Sequence, residues 1–86
     1  MKDVLFEQSA FEDLQHWAKN DNKLLKKIVE LIADIQKHPF DGIGKPEPLK
    51  HQYKGFCSRR ITDEHRLIYT VSETEIIVVA CRLHYS

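Results

Sequence analysis

The sequence contains few cysteines, and none of them is in a metal-binding or redox pattern. Cys57 and Cys81 are the two cysteines among 86 residues, and they form no CxxC motif. A disulfide-stapled secreted domain or a zinc-binding module of closely spaced ligands is therefore not expected. Met1-Lys2-Asp3 leads directly into a strand-like run rather than into the apolar region of a secretory signal. These features predict a reduced, cytoplasmic protein that needs no metal or other cofactor.

Long apolar runs and a net charge are also missing. The longest run, residues 76–81, is far shorter than the roughly 20 residues that a membrane span needs, so no membrane association is expected. The 13 Lys and Arg residues balance the 13 Asp and Glu residues, which argues against wrapping by nucleic acid through bulk positive charge. The balance is uneven, because residues 45–72 hold six basic and three acidic side chains. An anion-binding site is expected in that middle segment.

Glycine and proline are scarce and concentrated in one place. The chain has three of each, and all six lie between Pro39 and Gly55. This concentration predicts one long loop, which in so small a domain is usually either disordered or functional. The basic and aromatic residues within it favour a functional loop. Glu47 lies between Pro46 and Pro48, whose rings restrict its backbone. The sequence leaves two interpretations open for Glu47, a preorganised general base and an ordinary solvated carboxylate.

The remainder of the chain has the patterns of regular structure. With 42% hydrophobic and 30% charged residues, it is expected to form a single domain over residues 1–86. An apolar run at 4–6 predicts a strand, and the Ser-x-x-Glu pattern from Ser9 to Glu12 predicts the capping box of a first helix. The cluster Asn20-Asp21-Asn22 ends that helix and caps a second one, whose apolar stripe spans 24–35 and which Pro39 terminates.

Strand signals follow the loop. Alternating or apolar segments predict strands near 49–53, 56–61, 65–71 and 76–83, with polar turns between the last three. Helices followed by a meander of strands indicate an α+β fold. We expect the two N-terminal helices to pack on one face of a four- to five-stranded, mainly antiparallel sheet and to leave the other face open.

Arg66 is the candidate for that open face. Alternation on its strand puts it opposite Leu67, Tyr69 and Val71, so it points away from the helices if those residues form the core. A guanidinium there suits a phosphate, whereas the alternative is an exposed strand arginine paired with an acid. Further basic residues are expected to enlarge the patch, either by contacting phosphates or as solvated side chains: Lys45, Lys50, Lys54, Arg59, Arg60 and Arg82.

His84 and Tyr85 follow the last predicted strand. An imidazole can donate a proton near neutral pH, and a tyrosine can stack on a base or bond a phosphate; a frayed terminus is the alternative. Together, Glu47, Arg66 and His84 supply a base, a cation and an acid, which are the parts needed to cleave RNA through its own 2′-hydroxyl. Their spacing leaves open whether the three side chains meet.

An ordered set of motifs covers nearly the whole chain and resembles the YoeB (Txe/YoeB) toxins of type II toxin–antitoxin systems. The motifs, in chain order, are Lys26-Lys27-Ile28, Pro39-Phe40, residues 44–51 (GKPEPLKH), residues 58–67 (SRRITDEHRL), Ala80-Cys81-Arg82 and His84-Tyr85. The chain departs from the pattern at Cys57 and Leu83, which replace positions that are often aromatic, and at Ser86, which follows the tyrosine.

The resemblance implies a RelE-like fold and an mRNA interferase that cleaves messages in the ribosomal A site without a metal. It assigns the general base to Glu47, the transition-state cation to Arg66 and the general acid to His84. It also implies that Tyr85 positions the substrate and that Lys50, Arg60 and Arg82 contact phosphates. The partners that it implies are the ribosome and mRNA, a Phd/YefM-type antitoxin, operator DNA bound through that antitoxin, and a second copy in a homodimer.

Two other functions remain as alternatives. One is a catalytically silent module that only binds its antitoxin and represses the operon, and such a module has no use for Glu47 and His84 together. The other is a ribonuclease that acts without the ribosome, which naked RNA would reveal. The neutral net charge favours reliance on the ribosome over strong binding to free RNA.

Overall fold

The computed structural model describes residues 1–83 and begins with a strand followed by two helices. Helix α1 spans Gln8–Asn20 and helix α2 spans Asn22–Lys37, so the single residue Asp21 joins them. The Asp21 carboxylate accepts hydrogen bonds from the backbone N–H groups of Lys23 and Leu24 at 3.1 and 3.2 Å. It is therefore the N-cap of α2, and the predicted cap is confirmed. The second helix ends at its C-cap His38, directly before Pro39, as predicted.

The predicted capping box of α1 is wrong. The helix begins at Gln8, its N-cap is Glu7, and the Glu7 side chain makes no capping hydrogen bond. The Glu7 N–H donates to the Val78 carbonyl at 3.0 Å, so strand β1 (Asp3–Phe6) passes straight from the sheet into the helix. Ser9 consequently lies inside the first turn, where its hydroxyl donates to the Val79 carbonyl at 2.9 Å.

Within residues 1–83, five strands form one sheet, which confirms the predicted α+β class. The strand order is β1-β5-β4-β3-β2, in which β1 lies parallel to β5 and every other pair is antiparallel. The four strands after α2 have these bounds: β2 Glu47–Pro48, β3 Cys57–Arg60, β4 Arg66–Val71 and β5 Glu75–Ala80. Among residues 1–83, no helix is long and apolar enough to cross a bilayer.

Two strand boundaries differ from the prediction. The strand expected near 49–53 is instead the two-residue β2 followed by a short 3₁₀ helix, His51–Tyr53. Backbone bonds from Tyr53 N–H to the Lys50 carbonyl and from Lys54 N–H to the His51 carbonyl wind this segment tightly, which an extended strand does not allow. The last strand ends at Ala80 rather than at 83, because the Cys81 N–H donates to the Asp13 carboxylate of α1.

The core lies between the two helices and one face of the sheet. Fully buried side chains of α2 (Ile28, Leu31, Ile35) meet those of β4 (Leu67, Tyr69), which confirms the expected inward face of that strand. By alternation, Arg66, Ile68 and Thr70 lie on the face away from the helices, together with Ser58 and Arg60 of β3. This second face carries the candidate site.

Candidate active site

Arg66 occupies the first position of β4, beside Arg60 of β3. Its side chain is 18% exposed on the face away from the helices, as predicted. Its Nε–H donates to Ser58 Oγ at 3.0 Å, and Nη2 donates to the Lys45 carbonyl oxygen at 3.5 Å. The guanidinium is therefore held against the sheet at one edge while part of it still reaches the surface.

Glu47 lies on β2, on the other side of β3 from Arg66, and its side chain approaches the Arg66 guanidinium. It is paired with Ser58 of β3, whereas Arg66 is paired with Arg60, so Glu47 and Arg66 lie on opposite sides of β3 and are offset by two residues. Glu47 Oε2 lies 3.7 Å from Arg66 Nη2, and the carboxylate is 66% exposed. A charge-assisted hydrogen bond would be about 2.7–2.9 Å long, so the pair is loose and the carboxylate remains accessible. An exposed pair of this kind adds little to the stability of the fold. Its carboxylate and guanidinium are instead available for chemistry on a bound substrate.

A buried arginine orders the loop that leads to Glu47. Arg59 is 0% exposed, although the sequence placed it among the basic patch, and that expectation is wrong. Arg59 follows Ser58 on β3, so its side chain points to the helix side. All five of its N–H groups donate: Nε to Tyr69 Oη, Nη1 to Asp34 Oδ2 and the Ile43 carbonyl, and Nη2 to the carbonyls of His38 and Asp41.

Two partners of Arg59, Asp34 and Tyr69, have shifted pKa values with different causes. The hydrogen bond from the guanidinium, at 2.7 Å, holds the pKa of the Asp34 carboxyl below its usual value. Burial raises the pKa of Tyr69, whose hydroxyl donates to the Pro39 carbonyl at 2.6 Å. Gly42 has a φ of +116°, and a Cβ there would overlap the Asp34 carboxylate. The loop rich in proline and glycine is thus fixed by an ion pair between the buried Arg59 and the half-buried Asp34. The alternation of β3 was the one sequence signal that could have revealed this ion pair.

Of the other predicted phosphate contacts, Lys50 and Arg82 are exposed and Arg60 is half-buried. Lys50 and Glu47 line the same surface depression of about 400 Å³, which residues 47–53 form. Arg60 lies beside Arg66 in the sheet register, and its guanidinium is 3.6 Å from the exposed carboxylate of Asp63. Arg82 is exposed beyond the end of β5. The fold therefore brings Lys50 and Arg60 to the neighbourhood of Glu47 and Arg66, whereas Arg82 follows the last strand.

His84 and Tyr85 lie outside the described residues, but the chain up to Leu83 is well anchored. The Leu83 N–H donates to His65 Nδ1 at 2.7 Å, and the Arg66 N–H donates to the Leu83 carbonyl at 2.8 Å. The His65 side chain is only 12% exposed and packs edge-on against Trp17. Leu83, the residue directly before His84, is consequently hydrogen-bonded to both His65 and Arg66.

The same segment is fixed to α1. The Cys81 N–H donates to Asp13 Oδ2 at 3.0 Å, and the Trp17 indole N–H donates to the Cys81 carbonyl at 2.8 Å. Burial raises the pKa of the Cys81 thiol to about 12. No group of three or more His, Cys, Asp or Glu side chains among residues 1–83 is arranged to hold a metal ion.

Comparisons with known proteins agree with this architecture. The chain matches, over residues 6–85, the family model described as the YoeB-like toxin of bacterial type II toxin–antitoxin systems. It is 48% identical over 82 residues to Toxin YoeB of Escherichia coli (strain K12), covering 95% of this chain and 98% of the relative.

The comparison with solved structures also finds YoeB toxins. The chain is similar to the YoeB dimer from Staphylococcus aureus, with a TM-score of 0.92 and 45% identity over 98% of each chain. It is also similar to YoeB in the heterotetrameric YoeB–YefM toxin–antitoxin complex from the same organism, with a TM-score of 0.90 and 44% identity over 99% of each chain.

Proposed function

The chain belongs to the YoeB-like toxins of bacterial type II toxin–antitoxin systems, and from this premise we propose that it is an endoribonuclease that cleaves mRNA in the ribosomal A site. The observation that carries the proposal is the meeting of Glu47 and Arg66 at 3.7 Å on the face away from the helices. The two residues lie on different strands, 19 positions apart in the sequence.

The proposed chemistry is an attack by the RNA's own 2′-hydroxyl. Glu47, an exposed carboxylate, takes the 2′ proton, and the freed oxygen attacks the adjacent phosphorus. Arg66 stabilises the negative charge that develops on the phosphate oxygens. His84 then protonates the departing 5′ oxygen. The general base and the general acid would each contribute roughly 10²–10⁴-fold, and no step requires a metal.

The exposed basic side chains would bind the message. Lys50 shares the depression of residues 47–53 with Glu47, and Arg60 lies beside Arg66. These positions support our proposal that both side chains contact phosphates of the message. We assign Arg82 to a further phosphate and Tyr85 to positioning of the substrate.

We also propose the partners of the chain. The S. aureus relative forms a heterotetrameric complex with YefM, and we propose that a Phd/YefM-type antitoxin inhibits this chain and carries it to operator DNA. Another S. aureus structure is a YoeB dimer, and a homodimer is proposed here as well. We propose that residues 1–86 form one domain that acts in the cytoplasm, where mRNA and ribosomes are available.

The test is primer-extension mapping of a message programmed on ribosomes, with the same message without ribosomes as a control. Wild-type protein should cut only the ribosome-bound message, with chelator present, and a 2′-deoxy nucleotide at the cut site should block it. Glu47→Ala and His84→Gln should each lower the single-turnover rate about 10²–10⁴-fold. Glu73→Ala removes another exposed carboxylate, in the turn before β5, and should cleave like the wild type.

Each contrary result would indicate a different function or mechanism for this protein. If folded wild-type protein makes no cuts, the proposal fails and an antitoxin-binding module is the better account. Equal cutting of naked message would replace the A-site interferase by a ribosome-independent ribonuclease. Cleavage that persists at a 2′-deoxy nucleotide would remove the proposed mechanism.

A further inference from the structure

Ser58 is a buried hydroxyl on the sheet face that carries the candidate site. It occupies the second position of β3, where it pairs with Glu47 on one side and Ile68 on the other. Its relative exposure is 1%, and its Oγ accepts the Nε–H of Arg66 at 3.0 Å. Ser58 therefore lies directly between the carboxylate strand and the arginine strand.

This hydrogen bond fixes the orientation of the guanidinium. The Nε–H lies in the guanidinium plane, so an acceptor at Nε restrains that plane in a way that a contact to a flexible ammonium group would not. The Lys45 carbonyl at 3.5 Å from Nη2 is the second neutral acceptor. Glu47 Oε2, which is charged, lies farther away at 3.7 Å.

Opposite charges so close together would ordinarily approach each other further. Arginine and carboxylate commonly form a bidentate pair through two parallel N–H···O bonds. Such a pair would occupy the carboxylate oxygens that must accept the 2′ proton and the N–H groups that must reach the phosphate. Because Ser58 Oγ accepts the Nε–H of Arg66, that N–H group is not available to bond Glu47.

We propose that Ser58 is a positioning residue, whose hydroxyl holds the Arg66 guanidinium beside Glu47 without letting the two close into a tight ion pair. The inference deepens the proposed function and rests on it. Ser58 acts through Arg66 and does not itself contact the reacting atoms.

The test compares Ser58→Ala with the wild type in the ribosome-programmed cleavage assay. Removal of the hydroxyl should lower kcat about 10- to 100-fold, as expected for a small misplacement of a reacting group, and should change KM less than about twofold. Thr70→Val is the matched control, because it removes another hydroxyl on the same face, one that donates to the Gly55 carbonyl at 2.9 Å. Its kcat should remain at the wild-type value.

A double-mutant cycle separates positioning from general damage. Lysine has no Nε–H donor at the matching place, so in an Arg66→Lys background the Ser58→Ala change should alter kcat less than about twofold. The proposal is overturned if Ser58→Ala leaves kcat unchanged, if it lowers kcat equally in both backgrounds, or if its loss of activity only follows a loss of folded protein. A wild type that does not cleave would instead overturn the proposed function, and this inference with it.

Discussion

At the scale of single residues, Arg59 and Arg66 show that environment decides what a guanidinium does. Arg59 is fully buried and has every N–H satisfied, so it serves the loop structure. Arg66 is partly exposed and has a loose carboxylate partner, so it can still bind an anion. The sequence supplied the correct face for Arg66 through strand alternation, but it grouped Arg59 with the surface cations, because a buried arginine is rare without a partner that only the fold supplies.

Asp34 should make the stability of the protein depend on pH. Its pKa is lowered in the folded protein by the Arg59 hydrogen bond, so its stabilising effect is present above its unfolded pKa near 4 and is lost as the pH falls through the folded value. Asp34→Asn should lower the free energy of unfolding by about 2 kcal/mol at pH 7. The difference from the wild type should shrink below about pH 4, as measured by urea unfolding at a series of pH values.

Asp63→Asn is the control for that experiment. Asp63 is also beside an arginine, at 3.6 Å from Arg60, but its side chain is fully exposed. Solvent and salt screen such a pair, so its removal should leave the acid dependence of stability unchanged. If Asp34→Asn lowers the free energy of unfolding by the same amount at pH 7 and at pH 3, the role given to the Arg59–Asp34 ion pair is contradicted.

At the scale of elements, the junctions between them depend on a few polar side chains. Asp21 ends α1 through its N–H to the Trp17 carbonyl and starts α2 through its carboxylate, so no further linker residue separates the helices. The sequence identified this junction because its signal is local. It missed the start of α1, because β1 continues into the helix and the sheet rather than Ser9 sets that boundary.

The cap of α2 leads to an element-scale prediction. Asp21→Ala leaves two N–H groups of the first turn without their acceptor and should lower the free energy of unfolding by about 1 kcal/mol. Asp21→Asn keeps an acceptor and should cost only a few tenths of a kcal/mol. Chemical denaturation monitored by circular dichroism measures both, and equal losses for the two variants would show that charge rather than capping matters here.

At the scale of the whole molecule, the sheet order brings the N-terminal elements β1 and α1 against the last strand and the segment that follows it. Strand β1 lies parallel to β5, and α1 then holds the segment after β5 through Asp13 and Trp17. The Cys81 thiol is enclosed in this junction, with its sulfur 3.6 Å from the Ala10 carbonyl and no exposed surface. Cys81 should therefore report on opening of the whole fold.

Thiol labelling tests this expectation. With a pKa of about 12, Cys81 has about one part in 10⁴ as thiolate at pH 8, and the buried sulfur is inaccessible as well. In a Cys57→Ala background, iodoacetamide should label Cys81 only as fast as the protein unfolds, with a rate that rises steeply with urea. Rapid labelling in native buffer, at the rate of a free thiol, would show that the junction opens locally.

The sequence by itself determined what periodicity and local chemistry encode. The cap at Asp21, the apolar stripe of α2 and the outward face of Arg66 follow from local patterns, in which a spacing of 3.6 or 2 fixes which side chains share a face. The α+β class follows from the order of these local elements along the chain. The family resemblance rested on motifs of the same kind, and the comparisons confirm the family. The roles of Glu47, Arg66 and His84 remain proposals.

Only the tertiary structure decided which distant residues meet. The register that sets Glu47 opposite Ser58, and β3 beside β4, places a carboxylate near Arg66, and no local pattern encodes strand order or register. The same pairing turns Arg59 toward Asp34 and buries it, and it makes Ser58 the acceptor between the two charged groups. These contacts depend on long-range packing of the sheet against α2, whose energetics involve many residues at once.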